Sequence, residues 1–138
     1  MTVDGSDDGA DGRSADRTIL VVDDDPTIRR LVTDVLEVEL GVRVVGVGDG
    51  YDAIQRLAAS PPDLMLLDLR MPVVDGLAVL RWMRRHPPPH RVPVVAFTAA
   101  GLPALEQLIG SGCDDAVAKP FDLNDLIAVV NRNLSVPI

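Results

Sequence analysis

The sequence predicts an α/β protein with a doubly wound, five-stranded parallel sheet and five helices. Short apolar runs alternate with longer segments in which apolar residues recur every three or four positions, as strands followed by helices do. Four of the five runs end in a polar or charged residue, and the carboxyl ends of parallel strands meet at one edge of a sheet. Right-handed crossovers between such strands would cover both faces with helices.

The first half of the chain begins with an apolar, β-rich run that ends in three aspartates, Asp23, Asp24 and Asp25. Asp25 followed by Pro26 is typical of a helix N-terminus, because aspartate caps the helix and proline fits its first turn. The elements predicted here are a strand over 18–22, a helix from Pro26 to about Gly41, a strand over 43–47 and a helix that ends near Ser60.

The apolar run over 64–67 ends in a carboxylate at Asp68. It is too short for a helix and is bounded by turn signals, so it predicts a buried parallel strand. Pro72 then forces a turn, and a helix runs from Gly76 to about Arg85.

The second half of the chain repeats the alternation. Its predicted elements are a strand over 92–97 that ends at Thr98, a short helix over 103–109, a brief strand within 112–118 that precedes Lys119, and a last helix capped by Asp122.

Composition limits the class of protein. The 138 residues fit one domain at 17–138, preceded by a disordered acidic tail at 1–16 that holds five aspartates. No stretch is long and apolar enough to cross a membrane, and the acidic start does not resemble a signal peptide. The single cysteine, Cys113, excludes an internal disulfide and suits a cytoplasmic protein. A net charge of −8 argues against nonspecific nucleic-acid binding.

The polar strand ends predict a phosphoryl-binding site. Carboxylates of Asp23, Asp24 and Asp68 would repel one another without a cation, and oxygen ligands with free water positions suit Mg²⁺. Lys119 adds a positive charge and Thr98 a hydroxyl donor, so the set could hold a phosphoryl group. One of the carboxylates would then be the acceptor.

From Thr18 to Leu134 the chain resembles the receiver domain of two-component response regulators. The motifs follow in the family's order and strand context: Val21-Val22-Asp23-Asp24-Asp25, Leu67-Asp68-Leu69-Arg70-Met71-Pro72 with Asp75-Gly76, Phe97-Thr98-Ala99, and Ala118-Lys119-Pro120-Phe121. Any one of these motifs is weak evidence, whereas four in sequence are strong.

The resemblance implies a flavodoxin-like sheet of strand order 2-1-3-4-5 and a Mg²⁺-dependent phosphoacceptor. Asp68 would accept the phosphoryl group and also bind the metal. Asp24 would be a direct metal ligand, Asp23 a ligand through water, and Arg70 a ligand through its backbone carbonyl. Thr98 and Lys119 would bind phosphoryl oxygens.

The resemblance also implies a cis peptide at Lys119-Pro120 and a donor phosphohistidine on a partner histidine kinase or phosphotransfer protein. The protein would be a signalling phosphoacceptor rather than an enzyme, acting through protein–protein contacts or a phosphorelay, without direct nucleic-acid binding or membrane insertion. Because the sequence ends just after the last predicted helix, we expect a stand-alone receiver.

Two points stay open at this stage. Ala116 stands where the family usually has an aromatic switch residue, which predicts a weak conformational switch unless Leu102 or Phe97 takes that part. Asp23 to Thr27 also spells the Asp-x-Asp-x-Thr signature of haloacid-dehalogenase-like phosphatases, with Asp23 as nucleophile and Asp25 as general acid.

Overall fold

The computed structural model describes residues 17–99 and 112–134, apart from the side chain of Thr98. Its centre is one five-stranded sheet in which every neighbouring pair is parallel, with strand order β2-β1-β3-β4-β5. This confirms the predicted fold class and order. The strands are β1 (Thr18–Val22), β2 (Arg43–Val47), β3 (Leu64–Leu67), β4 (Val94–Thr98) and β5 (Asp115–Ala118).

Four helices accompany the sheet in the described ranges, and an aspartate caps each of them. They are α1 (Pro26–Leu40), α2 (Gly50–Ala59), α3 (Gly76–Arg85) and α4 (Leu123–Leu134). The capping carboxylates of Asp25, Asp49, Asp75 and Asp122 accept backbone N–H groups of the first turn, which otherwise lack intrahelical partners. The fifth predicted helix, over 103–109, lies outside the described residues.

The core consists of two layers, one on each face of the sheet. Side chains alternate along β1, so Leu20 and Val22 belong to one layer while Ile19 and Val21 belong to the other. All four residues of β3 are buried, as expected for a central strand covered by helices on both faces. The described helices include none with the length and hydropathy of a membrane span.

β4 begins two residues later than the sequence analysis predicted, at Val94 instead of Val92. Pro93 explains the difference, because proline has no N–H to donate to a neighbouring strand. Its carbonyl still accepts the N–H of Met65 at 2.9 Å, so the chain is in line with the sheet before the strand starts.

Candidate functional site

The site is built at the carboxyl edge of the sheet, where β1 and β3 end side by side. Val22 and Leu67 are register partners, so the residues that follow them, Asp23 and Asp68, emerge next to each other. The Asp68 N–H donates to the Val22 carbonyl at 2.9 Å and fixes this alignment one residue beyond β3. Asp23 is fully buried and Asp68 is 4% exposed. Two carboxylates thus share a desolvated position, which requires a positive partner.

Lys119 supplies the positive charge. Its Nζ donates to Asp23 Oδ2 at 2.7 Å and to Asp68 Oδ2 at 3.1 Å. The residue follows β5 directly, and the Lys119-Pro120 peptide is cis, as the resemblance implied. It is the only lysine in the chain, against twelve arginines. Lys119 therefore joins the ends of three strands in one ion-pair network.

The electrostatics of this network are coupled. Burial raises the pKa of Asp68, although the Arg70 N–H and the Lys119 amine favour its charged form and lower it in part. Burial of Lys119 works against its own charge, but hydrogen bonds to Asp23 and Asp68 and their charges outweigh it and raise the pKa of the amine. The lysine is therefore held firmly protonated beside the two carboxylates.

Asp24 completes the acidic cluster from the solvent side. Carboxylate oxygens of Asp23, Asp24 and Asp68 lie within 4.8 Å of one another, and Asp24 is exposed. Three oxygen donors converging beside open solvent fit a hard ion that keeps several waters, as Mg²⁺ does. The residues present are thus chemically suited to the metal that the resemblance implied.

The loop after Asp68 is tied back to it. Asp68 Oδ1 accepts the Arg70 N–H at 3.0 Å, and a Cβ at position 76 would lie 2.8 Å from the Asp68 carbonyl. Only glycine at 76 allows α3 to start this close to Asp68. No contact of the Arg70 carbonyl is defined, and the Thr98 side chain lies outside the described part of the structure, so their assigned roles stay predictions.

Comparison with known proteins identifies the family. Residues 19–131 match the sequence profile described as "Response regulator receiver domain". The chain belongs to this family. The DNA-binding response regulator MtrA of Mycolicibacterium smegmatis is 40% identical over 118 residues, which cover 84% of this chain and 50% of that protein. The chain spans about a quarter to a half of the length of such curated relatives.

Solved receiver domains share the fold. The receiver domain of NtrX from Brucella abortus is 33% identical with a TM-score of 0.78, covering 86% of this chain and 99% of that one. The receiver domain of the sensor histidine kinase PA1611 from Pseudomonas aeruginosa is 32% identical with a TM-score of 0.77, covering 87% and 98%. That second structure is described with a magnesium ion coordinated in its active-site cleft.

The phosphatase alternative is not supported for this receiver domain. It required Asp25 as a general acid, but Asp25 Oδ1 accepts the N–H groups of Thr27 at 2.9 Å and Ile28 at 3.4 Å as the cap of α1. Asp23, the nucleophile in that hypothesis, is fully buried and bound by Lys119.

Two residues contact the site in ways that the sequence did not predict. The Phe97 ring is fully buried, lies 4.8 Å from Lys119 Nζ and meets Phe121 edge-on. This cation–π contact supports the amine from the side of the core. Arg29 Nη1 donates to the Asp23 carbonyl at 2.7 Å. The sequence signal for Phe97 was its place just before Thr98, whereas Arg29 resembled any exposed helix arginine.

Ala116 occupies the middle of β5 as predicted, paired in register with Ala96. It packs against one core layer as a partly buried side chain. Of the two residues considered as substitutes for the missing ring, Phe97 is fully buried beneath Lys119, and Leu102 lies outside the described residues.

Proposed function

We propose that this receiver domain accepts a phosphoryl group on Asp68 from a phosphohistidine of a partner protein in a Mg²⁺-dependent reaction. The observation that carries the proposal is the convergence of the Asp68 carboxylate, the Lys119 amine and two further carboxylates at one sheet edge. A nucleophile, a fixed cation and a set of metal ligands are the parts that phosphoryl transfer requires.

Asp24, Asp68 and the Arg70 carbonyl would hold the ion directly, and Asp23 through water. This division is supported by the contrast between Asp24, which is exposed, and Asp23, whose carboxylate already accepts from Lys119 and from the Asp25 N–H at 2.9 Å. When bound, the metal would neutralise charge on the transferred phosphoryl group.

The residues of the chain would act in a defined order. A carboxylate oxygen of Asp68 attacks phosphorus, the bond from phosphorus to the donor histidine nitrogen breaks, and that nitrogen takes up a proton from solvent. The Lys119 ammonium, held within reach of Asp68, shifts its hydrogen bond to a phosphoryl oxygen. Thr98, which ends β4, would donate to a second oxygen.

We propose that the domain is a signalling phosphoacceptor in the cytoplasm and not an enzyme with a separate substrate. A histidine kinase or phosphotransfer protein is the proposed donor, and a protein partner or a further relay step the proposed output. We also propose that the receiver domain spans residues 17–138.

Labelling with a small phosphodonor tests this function. With Mg²⁺ and acetyl phosphate, intact-mass analysis should show one acid-labile phosphoryl group on the wild type and none on Asp68→Asn. Asp52→Asn, an exposed aspartate on α2, is the matched control and should label normally. Labelling of Asp68→Asn at the wild-type rate would show that another residue is the acceptor. Turnover of aryl phosphates by that variant would support the phosphatase alternative.

A further inference from the structure

We infer that Arg29 is a positioning residue for the metal-binding aspartates, an inference that rests on the proposed function. Its Nη1 donates to the main-chain carbonyl of Asp23 at 2.7 Å. That carbonyl belongs to the peptide unit joining Asp23 to Asp24. Because a peptide unit is planar, fixing the direction of its oxygen also fixes the direction in which the chain continues to Asp24.

The N–H and the carboxylate of Asp23 have other partners, and Arg29 is the partner of its carbonyl. The Asp23 N–H donates to the Val47 carbonyl of β2 at 3.1 Å, and the Asp23 carboxylate accepts from Lys119 and the Asp25 N–H. Asp24 differs, since its carboxylate has no hydrogen-bond or ion-pair partner among residues 17–99 and 112–134. Its position therefore depends on its backbone, which Arg29 holds at the Asp23 carbonyl and which the Asp25 N–H holds from the other side.

The Arg29 side chain lies against two glycines, one in β2 and one just after it. The side chain crosses the end of β2, where a Cβ at Gly46 would lie 3.0 Å from Arg29 Cγ and a Cβ at Gly48 would lie 3.1 Å from Arg29 Nη1. Neither glycine has a backbone conformation that requires glycine. The contact with Arg29 is thus what a methyl group at either position would disturb.

The charge of Arg29 and its positioning role have opposite effects on Mg²⁺ affinity, so a substitution distinguishes them. A guanidinium this close to the cluster repels a divalent cation. If its charge were all that mattered, removing it would tighten Mg²⁺ binding. Removing a support that orients ligands weakens metal binding, typically by about 10-fold or more. The two roles predict opposite changes for Arg29→Met.

The experiment measures Mg²⁺ affinity of the unphosphorylated protein by calorimetry and by amide NMR shifts of Asp24. We expect Arg29→Met to weaken Mg²⁺ binding about 10-fold, Arg29→Lys to restore part of the affinity through its remaining donor, and Arg30→Met, the exposed neighbour, to leave it unchanged. Urea unfolding without metal shows whether each variant is folded.

If Arg29→Met unfolds, a double-mutant cycle of Gly48→Ala with Arg29→Lys keeps the inference testable. Gly48→Ala should weaken Mg²⁺ binding in the wild type and have no further effect in Arg29→Met or Arg29→Lys backgrounds, because the methyl group acts through the guanidinium. Unchanged or tighter Mg²⁺ binding in folded Arg29→Met would overturn the inference. If Asp24→Asn also leaves Mg²⁺ binding intact, the proposed metal site itself fails; if only Asp24→Asn weakens it, the role of Arg29 alone is wrong.

Discussion

The amine of Lys119 lies closer to Asp23 than to Asp68, at 2.7 Å against 3.1 Å. Asp23 is fully buried, so the lysine is its counterion inside the protein. Asp68, in turn, has the weaker of the two contacts and is the carboxylate that the proposed reaction must free. This asymmetry leaves Asp68, the proposed acceptor, available while the charge of Asp23 stays compensated.

Removal of this amine should destabilise the protein. Lys119→Met would leave two buried carboxylates without a positive partner, and we expect a loss of about 2–4 kcal/mol in the free energy of unfolding without metal, part of which saturating Mg²⁺ restores. Urea denaturation measures both. Arg132→Met, which breaks the exposed pair with Asp115, is the control and should cost less than about 1 kcal/mol. Equal losses in the two variants would contradict a special role for Lys119.

The two aspartates after β1 should contribute unequally to Mg²⁺ binding. Asp24→Ala removes an exposed carboxylate that has no described protein partner, and we expect its Mg²⁺ affinity to fall at least about 10-fold. Asp23→Ala removes a carboxylate that is proposed to bind the metal only through water, so its loss should weaken Mg²⁺ binding less. Calorimetric titration compares them, and equal losses would show that the direct and water-mediated assignments are wrong.

The only cysteine predicts a pH dependence of stability. Burial, with a smaller contribution from the Asp114 carboxylate, raises the pKa of Cys113 to about 11 from 9.0. The folded state holds the thiol proton more tightly, so this contribution is complete below pH 9 and is lost as the pH rises towards 11. We expect wild type to lose on the order of 2 kcal/mol more than Cys113→Ala over that range. Parallel unfolding curves at all pH values would contradict this.

Val73 should be a strained position. It has a φ of 68°, a region that β-branched residues avoid, and its side chain is fully exposed, so packing does not compensate. We expect Val73→Gly to stabilise the protein by about 0.5–1 kcal/mol in urea unfolding. Val38→Gly, the same change at an exposed site within α1, should destabilise it by about 0.5 kcal/mol. The same sign for both would refute the strain.

Ala116 should limit how far a phosphorylation signal spreads. If Thr98 moves towards a phosphoryl oxygen, position 116 has no ring to fill the space that it would leave. We therefore expect a beryllofluoride phosphoryl mimic to shift amide NMR signals strongly around Asp68 and Lys119 but weakly over 115–117 and α4. Shifts of equal size in both regions would show that another side chain has replaced the ring.

Much of this site followed from local sequence patterns. Asp23, Asp24, Asp68 and Lys119 each follow a short apolar run, and alternation with helices implies that parallel strands end at one edge. The order of the strands came from the family resemblance, because nothing in the residues themselves specifies which parallel strands are neighbours.

The parts that escaped prediction depend on contacts between distant segments. Arg29 and Arg30 are adjacent in an amphipathic helix, and their sequence positions do not distinguish them. Only the folded chain shows that Arg29 lies against Gly46 of β2 and Gly48 just after it. The predicted start of β4 was wrong for a local reason. The apolar run begins at Val92, but Pro93 has no N–H to donate to the sheet, so the strand begins at Val94.

The rarity of lysine in this chain has a practical consequence. The sequence has twelve arginines and one lysine, and the amine of that lysine lies beside Asp68, the proposed phosphoacceptor. Biosynthetic incorporation of ¹³C-labelled lysine would therefore label one residue only, beside Asp68, without altering its charge or its hydrogen bonds. The side-chain signals of that one lysine would then follow metal loading and phosphoryl occupancy of the pocket in real time, without assignment of the remaining spectrum.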